Sequence, residues 1–179
     1  LMGLVSVRQG EGTFVTRVST DKIFRPLSSV LSLDNSGVLE GIEARKILES
    51  ETVRLCCFRA ADEEVEEIYC LLKEMEECCA DGDLDGFDEK DIQFHVTIAQ
   101  MAKNRVLLRI LETLRDLLYE QIREVLKDPE AAGRACYYHR KICGAIRDRD
   151  DKMARKYMLN HLRNVENTLV KIYSAEVDS

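Results

Sequence analysis

The three histidines of this chain, His95, His139 and His161, all fall on apolar stripes of segments with helical periodicity. Asp91 lies one helical turn before His95, so their β-carbons are about 6 Å apart and one metal ion can bridge both side chains. The apolar members of these stripes are Phe87, Ile98, Ala102, Ala135, Ile142, Ile146, Tyr157, Met158, Val165 and Leu169. The sequence therefore directs three imidazoles and one carboxylate toward a core.

This combination predicts a metal centre. A single core-facing histidine is usually a hydrogen-bonded core residue, but three of them beside a carboxylate are costly to bury without a partner. A divalent cation offsets that cost, because it binds neutral imidazole nitrogens and a carboxylate oxygen directly. We predict Asp91, His95, His139 and His161 as ligands, with one or two positions open. Zinc is the first choice of ion, with nickel, manganese and iron as alternatives.

A second pair of charged residues shares a stripe on the first long helical segment. Arg45 and Glu49 are four residues apart and lie on the face of Ile42 and Thr52. The pair is compatible with an ordinary surface ion pair, and equally with a guanidinium directed at the metal cavity. In the second case the planar guanidinium and an open metal position would together suit a small organic acid.

Composition limits the class of protein. A chain of 179 residues with 45% hydrophobic content suits one globular domain, and a net charge of -7 argues against direct DNA binding by that domain. There is no apolar run long enough to span a bilayer and no signal peptide pattern, so we predict a cytoplasmic protein without membrane contact. Seven cysteines without C-x-x-C spacing indicate reduced core residues.

The periodicity predicts an all-α body of six helices in an antiparallel bundle. The predicted helices span about 37–58, 62–80, 85–102, 104–127, 129–147 and 150–174. A hairpin pattern precedes them, because alternating residues flank a Gln-Gly-Glu-Gly centre near residues 9 to 12. The predicted organisation is a hairpin unit at 1–19, a linker at 20–36 and a helical domain at 37–175.

The spaced polar residues resemble the FCD domain, the C-terminal effector domain of FadR-branch GntR transcription regulators, from about residue 37 to 174. The residues that carry this resemblance are Arg45, Glu49, Asp91, Phe94, His95, Asn104, His139 and His161. It implies helices around a central cavity, a homodimer, and a DNA-binding module whose operator affinity changes when a small carboxylate enters. It also implies effector binding by Arg45 and Asn104, although Asn104 equally suits a helix cap.

The N-terminal hairpin fits the same family. Residues 3–5 and 13–15 are similar to the wing that closes a winged helix-turn-helix, whereas the three helices that precede such a wing are not in this sequence. We therefore expect a truncated winged helix. Members of this family with long acyl effectors lack the full histidine set, so the resemblance implies a short hydroxy acid, keto acid or sugar acid as the effector.

The predicted function is that of a ligand-responsive transcriptional regulator, not an enzyme, which binds a divalent metal ion and a small organic carboxylate. Two alternatives remain open from the residues. A mononuclear metal-dependent enzyme would need a general base besides the ligands, for which Glu49 is the candidate, although Arg45 is placed to neutralise it. A helical domain with a purely structural metal is the other alternative.

Overall fold

A computed structural model of the chain describes residues 5–8, 10, 12–15, 35–114 and 121–177. Two strands and six longer helices lie within these ranges. They are β1 (Val5–Arg8), β2 (Gly12–Val15), α1 (Asn35–Arg59), α2 (Asp62–Asp81), α3 (Leu84–Met101), α4 (Arg105–Thr113), α5 (Ala131–Arg147) and α6 (Asp151–Val177). Residues 121–125 form a further short helical stretch.

The predicted all-α bundle is confirmed, and most predicted boundaries agree to within about two or three residues. The exception is the predicted helix at 104–127. In the structure α4 ends at Thr113 with Leu114 as its C-terminal cap, and helical structure is described again at 121–125. Apolar periodicity continues across this break, and periodicity alone cannot locate it. Among the described helices, none is both long and apolar enough to cross a membrane.

The N-terminal hairpin is present as a two-stranded antiparallel sheet. Val5 pairs with Val15 and Arg8 pairs with Gly12. The turn uses positive φ angles of 83° at Gly10 and 107° at Gly12, which glycine adopts without steric cost. The predicted linker at 20–36 lies outside the described residues as far as residue 34.

The helices pack so that α1 is central to the bundle. It packs along α6 and against α3, while α2 packs on α3 and α5, and α5 packs on α6. Apolar side chains from these faces form one large core. Its fully buried members include Val53, Cys56, Ile68, Met75, Phe94, Ile98, Ile142, Cys143, Ile146, Met158 and Leu162. A smaller core lies around the beginning of α1 and contains Val38, Ile42, Val125, Ala131, Val165 and Leu169.

The structure places four of the seven cysteines in the core, whereas Cys70 is exposed and Cys78 and Cys79 are partly buried. All seven are free, and Cys56, Cys57, Cys136 and Cys143 are buried. Burial raises the pKa of the Cys56 thiol to about 12, so this thiol stays protonated and unreactive at neutral pH.

Arg149 fastens the C-terminal end of α1. Its Nη1 donates hydrogen bonds to the carbonyl oxygens of Cys57 and Ala60 at 3.3 and 2.7 Å, and its Nη2 donates to Asp62 at 2.6 Å. The turn between α5 and α6 is thereby joined to the turn between α1 and α2. This end of the bundle is fixed by directional contacts as well as by packing.

Replacing Ile68 by alanine should destabilise the bundle. The side chain is completely buried on α2 in the large core, and its loss leaves a cavity, so we expect the free energy of unfolding to fall by about 2–5 kcal/mol. Chemical denaturation followed by circular dichroism measures this change. The control is Glu67→Ala, an exposed neighbour on the same helix, which should change stability by less than about 0.5 kcal/mol.

Candidate metal centre

Three helices supply the four predicted ligands. Asp91 and His95 lie one turn apart on α3, His139 lies on α5 and His161 on α6. The N-terminus of α3 is capped by Asp83, whose carboxylate accepts a hydrogen bond from the Gly86 amide. All four predicted ligands are at least 97% buried. The structure therefore brings the whole predicted set together.

The ligand atoms have the spacing that a single ion requires. The Nε2 atoms of His139 and His161 are 3.4 Å apart. Asp91 Oδ1 is 3.5 Å from His139 Nε2, and Asp91 Oδ2 is 3.6 Å from His95 Nε2. One ligand atom from each residue lies within 4.8 Å of all the others. A tetrahedral ion with bonds of about 2.0–2.2 Å has ligand separations of roughly 3.3–3.6 Å. The cluster can hold such an ion.

The protonation states also favour metal binding. Burial lowers the pKa of His139 and of His161 well below 6.5, and the charges of nearby groups, Arg45 among them, lower both further. Both imidazoles are therefore neutral at physiological pH and can offer a lone pair. Burial raises the pKa of Asp91, and the opposing influence of His95 and Arg45 does not offset its loss of hydration. A cation in the centre would supply the missing positive charge.

Arg45 and Glu49 form a buried ion pair directly behind the cluster. Arg45 Nε donates to Glu49 Oε1 at 2.6 Å, and both side chains are at most 2% exposed. The surface ion pair that the sequence left open is therefore wrong. The other oxygen, Glu49 Oε2, lies 2.5 Å from His95 Nδ1. A carboxylate in this position fixes the orientation of a metal-binding imidazole and leaves its Nε2 free for the ion.

Gln121 is a buried polar residue that the sequence analysis missed. It has no exposed surface, accepts a hydrogen bond from Arg45 Nη1 at 3.2 Å and donates one to the Val38 carbonyl oxygen at 2.8 Å. The signal in the sequence that could have identified Gln121 as inward-facing is its spacing of four residues from Val125, which is buried.

Asp88 was also missed. It is only 2% exposed, and neither of its carboxylate oxygens has a hydrogen-bond partner among the described residues. Burial, followed by the negative charge of Asp91, raises its pKa to about 6, while Arg123 counteracts part of the shift. Its position three residues before Asp91 and seven before His95 on one helix face was the signal in the sequence.

Asn104 has a structural role at the start of α4. Its Oδ1 accepts hydrogen bonds from the amides of Val106 and Leu107 at 3.1 and 3.2 Å, so it is the helix N-cap that the sequence kept as an alternative. The last residue of α3, Met101, is already roughly 9 Å along the helix axis from His95. The effector role of Asn104 stays a prediction.

The geometry gives Glu49 little capacity to act as a base. Burial by itself would raise its pKa, but the charge of Arg45 and the contact with His95 hold the pKa of this carboxyl well below its ordinary value. A carboxylate whose pKa is lowered in this way is a weak proton acceptor. The arrangement is suited to holding an ion and an anion rather than to moving protons.

Comparison with known proteins identifies relatives of this chain. The FCD domain family matches residues 40–164. The HTH-type transcriptional regulator LutR of Bacillus subtilis (strain 168) is 32% identical over 181 residues, which include 98% of this chain and 82% of that protein. The putative L-lactate dehydrogenase operon regulatory protein of Escherichia coli (strain K12) is 27% identical, with coverage of 93% of this chain and 66% of that protein.

A solved structure has the same fold. The GntR protein of Streptococcus agalactiae superposes with a TM-score of 0.72 and 24% identity, over 93% of this chain and 76% of that chain. The matched proteins are transcriptional regulators, which confirms the prediction that this chain is not an enzyme.

Asp88→Asn should stabilise the metal-free protein at alkaline pH. Since the pKa of Asp88 is raised from 3.8 to about 6, the folded state binds this proton more tightly than the unfolded chain, and the carboxyl lowers stability as pH rises through that interval. We expect a gain of about 1–3 kcal/mol in the free energy of unfolding at pH 8 and little change at pH 4. Urea denaturation at both pH values measures it. The exposed neighbour Glu89→Gln is the control, and an equal effect of the two substitutions would contradict the assignment.

Proposed function

This chain belongs to the FCD domain family of transcriptional regulators, and from that premise we propose that its cluster of Asp91 and three histidines binds a divalent metal ion. The observation that carries the proposal is the set of 3.4, 3.5 and 3.6 Å separations between buried donor atoms. Each is close to the edge length of a tetrahedron around zinc, and Asp91 contributes a different carboxylate oxygen to each of its two separations. Zinc is therefore our first choice of ion, and nickel, manganese and iron have compatible ligand preferences.

We further propose that the metal and Arg45 together bind a small organic acid. Arg45 Nη2 is buried and has no hydrogen-bond partner among the described residues, so two N–H donors await an acceptor. The guanidinium is connected to the proposed ion site through Glu49, which contacts both Arg45 and His95. A carboxylate between the ion and this guanidinium would satisfy both groups.

The expected acid is short. The guanidinium and the metal ligands are all within a closely packed interior, which favours a hydroxy acid, keto acid or sugar acid over a long acyl chain. The name of one relative refers to an L-lactate dehydrogenase operon, which fits a short hydroxy acid. We use L-lactate as the first probe and citrate as a second.

The proposed output of acid binding is a change in DNA binding. We propose that the complete regulator is a homodimer that contacts its operator through a winged helix, of which the hairpin β1–β2 would be the wing. Acid binding would then change operator affinity, because a ligand that binds two conformations unequally shifts their populations. The chain itself carries a net charge of -7, which is consistent with DNA contact made by another module.

Removal of one ligand should abolish tight metal binding. We expect His139→Ala to weaken Zn²⁺ binding to the metal-free protein by at least about 100-fold, which is at or above the loss seen when only an outer partner of a ligand is removed. Isothermal titration calorimetry with Zn²⁺ measures the change. Tyr137→Ala, an exposed residue on the same helix, is the control and should bind as the parent does. Equal affinity of the parent and His139→Ala would refute the metal centre.

Arg45→Lys should separate acid sensing from a structural metal. Lysine keeps the positive charge but lacks the planar pair of donors, so we expect the Kd of the zinc-loaded protein for L-lactate or citrate to rise by about 10-fold or more, while Zn²⁺ affinity changes by only a few fold. Calorimetric titration of the acids into zinc-loaded protein tests this. Arg54→Lys on the same helix, partly exposed and paired with Glu51, is the control. A zinc-loaded parent that binds neither acid would reduce the centre to a structural metal.

A further inference from the structure

Gln121 connects two separate parts of α1. Its side chain has no exposed surface, and an amide in that position is costly unless it is hydrogen bonded. The Nε2 atom donates to the carbonyl oxygen of Val38, the fourth residue of α1, at 2.8 Å. The Oε1 atom accepts from Arg45 Nη1, two turns further along the same helix, at 3.2 Å. One side chain therefore ties the beginning of α1 to the guanidinium beside the metal centre.

Two further close contacts connect Arg45 through Glu49 to His95, one of the proposed metal ligands. His95 faces Asp91 through Nε2 and faces Glu49 through Nδ1, at 2.5 Å from the Glu49 oxygen. The other Glu49 oxygen accepts from Arg45 at 2.6 Å. A chain of buried polar contacts, which we term the relay, thus runs from His95 through Glu49, Arg45 and Gln121 to the Val38 carbonyl.

The contact between Arg45 and Gln121 is the one that a bound anion would change. It is 3.2 Å long, against 2.6 Å for the bond from Arg45 to Glu49, and the adjacent Nη2 has no partner among the described residues. A carboxylate that binds a guanidinium through two parallel hydrogen bonds uses donors on neighbouring nitrogens. Such a ligand would compete with Gln121 for the Nη1 donors, whereas the shorter bond to Glu49 would remain.

The two ends of α1 are held differently. The C-terminal end is fixed by Arg149, which donates to the carbonyl oxygens of Cys57 and Ala60. The N-terminal end is held by Val38 in the smaller core and by the Gln121 amide. A change in the Gln121 contacts would therefore affect the start of α1, which is the end of the helix nearer in sequence to the hairpin.

We propose that Gln121 is a positioning residue that couples the occupancy of the metal centre to the first turns of α1. This inference rests on the proposed function and assigns it a route of regulation. A ligand shifts a conformational equilibrium only through contacts that differ between the two states. The bond between Arg45 and Gln121 is such a contact. Its loss would affect the backbone of α1 at Val38, whose carbonyl oxygen accepts the other hydrogen bond of Gln121.

The test compares hydrogen exchange in the full chain for the parent and for Gln121→Met, which keeps the length of the side chain but removes both hydrogen bonds. Zn²⁺ is added first and L-lactate second, and exchange is followed by mass spectrometry in a peptide of residues 37–46. In the parent we expect the additions to change exchange in this peptide by about 5-fold or more. In Gln121→Met we expect less than a 2-fold change, while Zn²⁺ affinity and the response of a peptide around His95 are retained.

The controls separate this proposal from the previous one. Gln100→Met, an exposed glutamine on α3, should respond as the parent does. If Zn²⁺ binds and Gln121→Met keeps the full response at residues 37–46, the coupling role is wrong and the metal centre stands. If Zn²⁺ does not bind the parent, both proposals fall. If L-lactate has no effect on exchange, the parent and Gln121→Met are compared by their response to Zn²⁺ alone, because the proposed ligand His95 is the first residue of the relay. Gln121→Glu, which keeps the acceptor for Arg45 and loses the donor to Val38, replaces the methionine variant if that variant does not fold.

Discussion

The carboxylate of Asp91 and the ion pair of Arg45 and Glu49 are withdrawn from water by the helices around them, and an uncompensated buried charge costs several kcal/mol. The charges are compensated unequally. Glu49 contacts Arg45 through one oxygen and His95 through the other, whereas burial raises the pKa of Asp91 because its loss of hydration is only partly offset. The carboxylate of Asp91 is therefore less well compensated than that of Glu49. A cation among the four donor atoms would resolve this imbalance, and the proposed roles of Arg45 and Glu49 follow from it.

The bundle makes the site rigid. Phe94 packs against the ring of His139 with 4.3 Å between centroids, and the two cores lie on either side of the polar residues. Because such interiors are close-packed, a ligand that alters one buried contact must move a neighbouring element rather than be absorbed locally. Helix α1 is the element that such a ligand would move first, since it carries Arg45 and Glu49 and packs on both α3 and α6.

The same electrostatics distinguish a sensor from a catalyst. Metal-dependent hydrolysis needs a base whose pKa is close to the working pH. Glu49 is held ionised by Arg45 and His95, and one of its oxygens already accepts a hydrogen bond from Arg45. Family membership and the relatives, which are transcriptional regulators, lead independently to the same conclusion. The positive charge of Arg45, which makes Glu49 a weak base, is also the charge that would hold an anion in place.

The sequence by itself determined the helical architecture and the four residues of the cluster, because a period of 3.6 residues reveals which side chains face inward. It also paired Arg45 with Glu49, since residues four apart meet on any helix. Only the tertiary structure decided that Glu49 reaches His95 and that α4 ends at Thr113. It also decided that Asp88 is buried with no hydrogen bond to any described residue, and that Gln121 joins Arg45 to Val38. Glu49 and His95 are 46 residues apart in the chain, and Gln121 and Val38 are 83 apart. Periodicity fixes the direction of a side chain relative to its own helix, but the packing of the helices decides which inward-facing groups meet.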